Sequence, residues 1–216
     1  LGPDNKLIFM TGPLTGTTSA SAARYSVVAK SPLTGIWGHG NSGGSFGPAL
    51  KRSGFDGIIF EGISPKPVYL RIIDGQAELC DAGKLWGKTV PQTEDNIQQD
   101  SDHKLTLASI GPGGENRVRY AAIMNNKHRA VGRCGLGAVM GSNGLKAIAI
   151  DTEHGERPAS ADQSAFSKAA SAFAKYLRAH PVTGESLGMY GTNVLANIIN
   201  ESGGYPTRNF SAGQFE

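Results

Sequence analysis

The chain of 216 residues contains only two cysteines, Cys80 and Cys134. Two cysteines are too few for a disulfide-stabilised scaffold, and too few to hold an iron-sulfur cluster without ligands from elsewhere. Long hydrophobic runs are also missing, since no stretch approaches the roughly 20 apolar residues that a membrane helix requires. We therefore expect a protein of a reducing compartment, the cytoplasm, with neither a membrane nor a nucleic acid among its partners.

Acidic residues are missing from two long segments. Asn5–Phe55 and Asn116–Ile150 contain no Asp or Glu, although together they carry 11 of the 21 lysines and arginines. Two such segments are what a site for a buried, multiply charged anion requires. The alternative explanation is that these segments are buried strands, in which acids are rare anyway.

Glycine is in excess, with 30 of the 216 residues, and it is concentrated in the same two segments. Six glycines fall between Gly35 and Gly47, and five fall between Gly132 and Gly144. A backbone without side chains can approach a ligand closely and direct its N–H groups at phosphate oxygens. The sequence therefore predicts two glycine-rich loops on two sides of an anion.

Short β-rich runs dominate the part of the chain before residue 150. The predicted strands are Lys6–Met10, Tyr25–Lys30, Gly57–Glu61, Val68–Ile73, Ala77–Cys80, Leu105–Ile110, Val118–Met124 and Leu145–Ile150. Asp74-Gly75 predicts a hairpin, because a type I′ turn requires positive φ at both central residues. Only one clear helix, Pro91–Gln99, interrupts the strands. Because the strict alternation of a doubly wound sheet is missing, we predict an α+β fold.

The pattern changes near residue 152, and we predict two domains. A β-rich domain covers 1–152, and a linker with the opening helices of a helical domain covers 153–216. The spacing of a capping box at Ser160 predicts a helix whose apolar face consists of Phe166, Ala170, Phe173 and Leu177. A second helix is predicted from a Thr192 cap to Gly203. We expect the chain to be part of a longer protein, truncated at both ends.

The segment Gly38–Gly43 matches the dinucleotide-binding fingerprint, but its context does not. At most a short helix from Pro48 fits before the next strand, which is less than the roughly 10–12 residues of a crossover. No Walker lysine follows either glycine cluster, and the five histidines show no metal-ligand spacing. His39 and His128 lie beside the clusters, where they either contact a ligand or are solvated loop residues.

A series of short motifs runs in order between residues 5 and 150. The motifs are TGPLTGT at 11–17, RYSVV at 24–28, KSPLTG at 30–35, NSGG at 41–44, GFD at 54–56, LWGK at 85–88, IGPGGEN at 110–116, HRA at 128–130 and GLGAVMGS at 135–142. In this order they resemble the amino-terminal domain of the tungsten-dependent aldehyde ferredoxin oxidoreductases. YGT at 190–192, NE at 200–201 and PTRNF at 206–210 resemble the start of the second domain of that family.

This resemblance implies a base of two β-sheets on which a tungsten bis-pterin cofactor, of the molybdopterin type, rests. The cofactor-binding residues that it implies are Arg24, Asn41, Ser42, Gly43, Arg129, Ala130, Gly132 and Arg133. Arg24 would lie on the side that faces an iron-sulfur cluster, and the backbone carbonyls of Asn41 and Ala130 would hold a Mg²⁺ ion between the two pterin phosphates. Cations, free N–H groups and neutral carbonyl ligands suit that chemistry.

The resemblance also implies an oxidoreductase that converts aldehydes to carboxylates and passes electrons through a [4Fe-4S] cluster to ferredoxin. It places the cluster cysteines and the catalytic acid-base residues in later domains, so we predict no catalytic residue here and expect the chain alone to be inactive. Two alternatives stay open: a related tungsten enzyme of the carboxylate or benzoyl-coenzyme A reductase type, and a noncatalytic anion-binding module. The sequence also leaves open a homo-oligomer, the identity of the aldehyde, and tungsten or molybdenum as the metal.

Overall fold

The computed structural model describes residues 1–151 and 155–216. These residues divide into two compact units, Leu1–Ala159 and Ser160–Glu216. The predicted domain boundary between residues 152 and 153 lies outside the described residues. The first unit contains two β-sheets and four α-helices, which confirms the predicted α+β class.

One sheet has four antiparallel strands in the order β3-β2-β1-β4. Its strands are β1 (Leu7–Thr11), β2 (Tyr25–Lys30), β3 (Trp37–Ser42) and β4 (Gly57–Phe60). Alternation along the strands buries Phe9 and Tyr25 on one face and leaves Trp37 exposed on the other. Helix α1 (Phe46–Arg52) follows β3, and its Phe46 ring packs at a tilt against the Tyr25 ring, with a centroid distance of 4.8 Å. This aromatic packing fixes the carboxyl end of β3.

The other sheet has six strands in the order β6-β5-β10-β7-β8-β9, in which only β5 and β10 are parallel. Its strands are β5 (Val68–Ile73), β6 (Gln76–Asp81), β7 (Leu105–Ser109), β8 (Ile123–Asn125), β9 (Arg129–Val131) and β10 (Leu145–Asp151). Asp74 and Gly75 have φ of 50° and 72°, and they form the predicted turn between β5 and β6. Strands β3 and β9 are therefore edge strands of different sheets.

Three further helices, α2 (Val90–Gln99), α3 (Pro112–Glu115) and α4 (Leu136–Ser142), complete the first unit. Glycines allow α3 and α4 to pack closely, since a Cβ at Gly141 would lie 2.1 Å from the Gly114 carbonyl oxygen. Every residue of α4 is buried. One core joins both sheets with α1 and α4, through residues such as Phe9, Leu50, Met140 and Ile148.

The prediction of a strand over Val118–Met124 is wrong for most of its length, because β8 covers only Ile123–Asn125. Arg117 has φ of 57°, and the Val118 N–H donates to the Gly113 carbonyl at 2.9 Å, which turns the chain after α3. Strands β3 and β9 and helix α4 were not predicted. They are short or rich in glycine, so their local sequence carries little strand or helix preference.

The second unit contains three α-helices, α5 (Gln163–Ala179), α6 (Leu187–Tyr190) and α7 (Ala196–Glu201). A π-helical segment, Pro181–Ser186, and a 3₁₀ turn, Gly191–Leu195, separate them. Asp162 caps α5 by accepting the Ala165 N–H at 2.9 Å, so the predicted capping box at Ser160 is wrong. The second predicted helix begins as α7 at Ala196, because residues from Gly191 adopt the tighter 3₁₀ turn.

Candidate cofactor-binding site

The edge strands β3 and β9 come together through glycine. A Cβ at Gly40 would lie 2.5 Å from the Val131 Cγ1 atom, and one at Gly38 would lie 3.0 Å from the Cys134 Cβ atom. Any larger residue at Gly40 would push the two strands apart. The alternation of small buried residues along β3 therefore allows two sheets to meet at their edges.

The predicted residues of the first segment lie at the carboxyl end of β3 and beside it. Asn41 is exposed in β3, and Arg24, just before β2, donates a side-chain hydrogen bond to the Asn41 amide oxygen. Gly43 follows β3, where its Cβ position lies 3.5 Å from the Arg129 Nη1 atom. Ser42 differs from the others, since its side chain is buried and donates to Asn125 at 2.7 Å. Only the Ser42 backbone can therefore face a ligand.

The predicted residues of the second segment lie in β9 and directly after it. Arg129 and Ala130 are exposed in β9, and Gly132 and Arg133 are exposed in the connection to α4. The structure thus brings the two predicted groups together along one line of contact, with Gly43 against Arg129. Whether these residues bind a cofactor stays a prediction.

Cys134 adopts a left-handed backbone with φ of 70°. Glycine adopts this conformation without cost. The Cys134 side chain is partly buried, and its Sγ atom lies 3.6 Å from the His39 carbonyl oxygen. The connection between β9 and α4 therefore keeps a glycine-like conformation.

Two asparagines that the sequence analysis missed connect the two edges. The Asn125 side chain is completely buried, accepts from Tyr25 Oη at 3.1 Å and Ser42 Oγ at 2.7 Å, and donates to the Gly43 carbonyl at 2.8 Å. Its second N–H donates to the Asn126 Oδ1 atom at 2.8 Å. Asn126 continues the network to the Ser45 N–H at 3.1 Å. The turn before Arg129 is therefore attached to the backbone that follows β3.

Helix α2 holds the same turn from the other side. The buried Glu94 carboxylate accepts the Lys127 N–H at 3.0 Å, and the Lys127 ammonium pairs with Asp95 at 2.5 Å. Burial raises the pKa of the Glu94 carboxyl, and the hydrogen bond from Lys127 opposes that rise. A signal for this contact was absent from the local sequence, since Glu94 lies 33 positions before Lys127.

The charges of the acid-free segments separate into two groups. Four lysines pair with acids that lie outside the segments, in the pairs Lys6–Glu61, Lys51–Asp56, Lys127–Asp95 and Lys146–Glu115. Among the residues that the structure describes, Arg24, Arg129 and Arg133 form no ion pair. Lys30, Arg52, Arg117 and Arg119 form no ion pair there either, so Arg24, Arg129 and Arg133 are the part of the unpaired charge that lies on or beside the edge strands.

The Lys146–Glu115 pair is completely enclosed and joins two of the sequence motifs. Lys146 is 0% exposed and also donates to the Lys88 carbonyl at 2.8 Å, while Glu115 accepts the Gly87 N–H at 2.8 Å. Burial lowers the pKa of Lys146, and the hydrogen bond to Glu115 opposes this effect. The pair therefore anchors α3, and with it α4, to β10.

The donors on this surface fit a phosphate-bearing cofactor with a hard cation. In the part of the chain that the structure describes, the N–H groups of Gly43 and Gly44 donate to no protein acceptor. Unpaired N–H groups beside an arginine suit phosphate oxygens. No three His, Cys, Asp or Glu side chains within residues 1–151 and 155–216 come together as metal ligands.

The structure places the two histidines of the sequence analysis, and the segment with the dinucleotide fingerprint, at or near the edge strands. His39 is exposed in β3, with its Nε2 atom 3.1 Å from Ser26 Oγ, and His128 is exposed in the turn before β9. Gly38–Gly43 lies mostly within β3, so it does not form the strand-to-helix turn of a dinucleotide fold.

None of the described helices has the length and hydropathy needed to span a membrane.

Comparison with known proteins shows which proteins this chain is related to. Residues 1–152 match the family model "Aldehyde ferredoxin oxidoreductase, N-terminal domain", and residues 168–216 match "Aldehyde ferredoxin oxidoreductase, domains 2 & 3". The chain is 54% identical, over its whole length, to a tungsten-containing aldehyde ferredoxin oxidoreductase of Thermococcus kodakarensis, of which it covers 36%. It is 53% identical, over 99% of its length, to the corresponding protein of Pyrococcus abyssi, of which it covers 35%.

A solved structure is similar as well. The active-site complex BamBC of benzoyl coenzyme A reductase, with bound 1,5-dienoyl-CoA, superposes with a TM-score of 0.78 at 36% identity. The alignment covers 82% of this chain and 27% of that one. The chain thus spans about a third of the length of the relatives that it matches. Matched by the amino-terminal model over its whole β-rich part, the chain belongs to the aldehyde ferredoxin oxidoreductase family.

Proposed function

We propose that this chain is the cofactor-binding portion of a tungsten bis-pterin oxidoreductase that oxidises aldehydes to carboxylates. The observation that carries the proposal is the meeting of β3 and β9, which places Gly43 beside Arg129. Free N–H groups and unpaired arginine charge converge there, as a pair of phosphates requires. When bound, the tungstopterin supplies the two-electron redox chemistry.

The residues of this chain hold and orient that cofactor. Arg129 and Arg133 bind its phosphates, together with the N–H groups that follow β3. The backbone carbonyls of Asn41 and Ala130 would hold a Mg²⁺ ion, because neutral oxygens suit a hard cation whose charge phosphate already offsets. Arg24, positioned by its hydrogen bond to Asn41, would contact the pterin on the side of a [4Fe-4S] cluster.

The complete protein would add what this chain lacks. We place the cluster cysteines, the catalytic acid-base residues and the ferredoxin contact in the remaining domains, and the whole enzyme in the cytoplasm. Residues 1–152 then form the tungstopterin-binding domain, and 153–216 form the linker and first helices of the next domain. A reductase of the benzoyl-coenzyme A type is the second candidate, and it is favoured by the similarity to the BamBC complex. The lower identity of that chain, 36%, makes it the weaker one.

Metal analysis of the complete purified protein tests the proposal. We expect about one tungsten or molybdenum atom and about four iron atoms per chain, as one bis-pterin site and one [4Fe-4S] cluster require. Reduction of ferredoxin with aldehydes, compared with turnover of benzoyl coenzyme A, separates the two candidates. An active protein without either metal would refute both.

A further inference from the structure

We infer that Asn125 is a positioning residue for the cofactor phosphates, which it serves by fixing the direction of the peptide between Gly43 and Gly44. The inference rests on the proposed function and assigns a role to a side chain that no ligand would touch. Asn125 is 0% exposed and lies at the end of β8, behind the surface on which Arg129 is exposed.

The hydrogen-bonding capacity of the Asn125 amide is fully used. Its oxygen accepts from Tyr25 and Ser42, and its two N–H groups donate to the Gly43 carbonyl and to the Asn126 Oδ1 atom. A primary amide can make two bonds of each kind, so no capacity is left over. An amide held by four bonds, two of them buried and two part-buried, has one orientation.

Backbone groups decide which orientation that is. The Gly43 carbonyl can only accept, so the nitrogen of Asn125 must face it. The Ser45 N–H can only donate, so the oxygen of Asn126 must face it, and this is the same oxygen that accepts from Asn125. The two asparagines thus form a directed chain between the backbone after β3 and the turn before β9.

The consequence for a ligand follows from peptide geometry. The described residues contain no cis peptide bond, and a trans peptide directs its N–H opposite to its C=O. Because Asn125 draws the Gly43 carbonyl inward, the Gly44 N–H points away from Asn125. No acceptor among the described residues takes this N–H. It is therefore available to a ligand, and the Arg129 side chain passes close to the same residue, since the Gly44 Cβ position lies 2.8 Å from Arg129 Cδ.

Glycine at position 44 agrees with this arrangement. Gly44 has φ of 97°, and a Cβ there would lie 2.3 Å from the Asn126 Oδ1 atom. The backbone is therefore held in a conformation that side chains rarely adopt, against the asparagines that orient it. Asn125 and Asn126, together with Gly43 and Gly44, therefore fix the orientation of one N–H donor for the phosphate.

The test compares Asn125→Asp with Tyr25→Phe in the complete, cofactor-loaded protein. Aspartate keeps the shape of the side chain and an oxygen for Tyr25 and Ser42, but it lacks the N–H groups that hold the Gly43 carbonyl. Tyr25→Phe removes one buried hydrogen bond from the same amide and leaves that contact intact. The measurements are tungsten and pterin content per folded chain, the Tm, and hydrogen-deuterium exchange of the peptide that contains Gly44, with and without cofactor.

We expect Asn125→Asp to bind the cofactor about tenfold or more weakly, since a hydrogen bond to a charged phosphate is lost. The cofactor should also stop protecting the Gly44 amide from exchange. Tyr25→Phe should lower the Tm yet keep both cofactor content and protection. Asn125→Ser, which leaves room for water beside the Gly43 carbonyl, provides the same comparison if the aspartate variant does not fold.

Two results would overturn the inference while leaving the proposed function intact. One is wild-type cofactor content and Gly44 protection in Asn125→Asp. The other is a loss of cofactor in both variants that follows the fall in Tm, which would make Asn125 a purely structural residue. A wild-type protein that contains no pterin would instead refute the proposed function, and the inference with it.

Discussion

Replacing Arg129 by alanine tests ligand binding separately from folding. The Arg129 side chain is exposed, and it forms no ion pair within the described part of the chain. Its loss should therefore change the free energy of unfolding by only about 0.5 kcal/mol or less, as is typical of surface substitutions. The stability of the fold therefore depends little on the Arg129 side chain.

Cofactor binding should respond very differently. The Arg129 Nη1 atom lies 3.5 Å from the Gly43 Cβ position, beside the unpaired N–H groups. A hydrogen bond between a guanidinium and a phosphate contributes about 1.5–3 kcal/mol, so Arg129→Ala should weaken cofactor binding by roughly tenfold to 150-fold. The cofactor affinity of Arg129→Lys should lie between those of the wild type and Arg129→Ala, because lysine keeps the positive charge but lacks the planar guanidinium fork.

The assay is metal and pterin content per chain of the complete protein, measured with the Tm of each variant. Lys84→Ala is the matched control, since it removes one exposed charge beside β6, at the opposite edge of the same sheet. We expect normal cofactor content in the control and a low content in Arg129→Ala, with similar Tm values. Full cofactor occupancy in Arg129→Ala would show that the phosphates lie elsewhere.

Three further sets of substitutions test the framework around the site. Lys146→Met should destabilise the protein by about 3–5 kcal/mol because it leaves the buried Glu115 charge unpaired, and Lys146→Met with Glu115→Gln should cost less; urea titration of the single and double variants measures the difference, and equal values would contradict the pairing. Burial raises the pKa of the Glu94 carboxyl, so the folded state holds its proton more tightly than the unfolded chain does. The stability that this proton contributes is complete below the ordinary glutamate pKa of about 4.3 and is lost as the pH rises through the raised pKa. Glu94→Gln should therefore raise the unfolding midpoint more at pH 7.5 than at pH 5, and the opposite order would reject this sign. Gly44→Ala and Gly54→Ala both place alanine at positive φ, with φ of 97° and 92°, but only the first meets a close neighbour, so Gly54→Ala should cost about 1–2 kcal/mol and Gly44→Ala clearly more; thermal unfolding of the two variants side by side checks the order.

Much of the first unit could be predicted from local patterns. The limits of β2 and β5 were predicted correctly, because regular strands with alternating buried side chains have a strong local signature. Strand β3 was missed, since Gly38 and Gly40 lower its strand preference. Those glycines are present because β9 and the residues after it approach closely, with Val131 against Gly40. The requirement is tertiary, and no window of the sequence contains it.

The candidate site, too, could be predicted from the sequence only in part. The family resemblance predicted which residues line a cofactor, and the structure does bring Gly43 and Arg129, one from each predicted group, together. It could not show that the Ser42 side chain is buried, or that Asn125 receives it. Two consecutive asparagines after a short apolar strand indicate a turn, and the turn is there, but their second role depends on a partner segment far away in the sequence.

The acid-free segments illustrate how linear counting can mislead. Acids from outside the segments reach back to neutralise Lys51, Lys127 and Lys146. The prediction of a concentrated positive charge was therefore too large, although the arginines on and beside the edge strands stay unpaired within the described residues. Charge in a folded protein depends on which elements pack together, which a count along the chain does not record.

The contact between the two edge strands also determines when the site can exist. Ser42 and Asn125 are separated by 83 positions and Tyr25 and Asn125 by 100, so the network closes a very long loop. Closing such a loop costs entropy before its contacts form, which makes long-range pairings late events in folding. Strands β5 and β10 pair over a comparable distance in sequence, as in Leu145 with Val68, and the phosphate-facing backbone is complete only when both sheets are in place. Insertion of a cofactor must therefore follow folding, and a chain arrested with one sheet formed would have nothing to bind it.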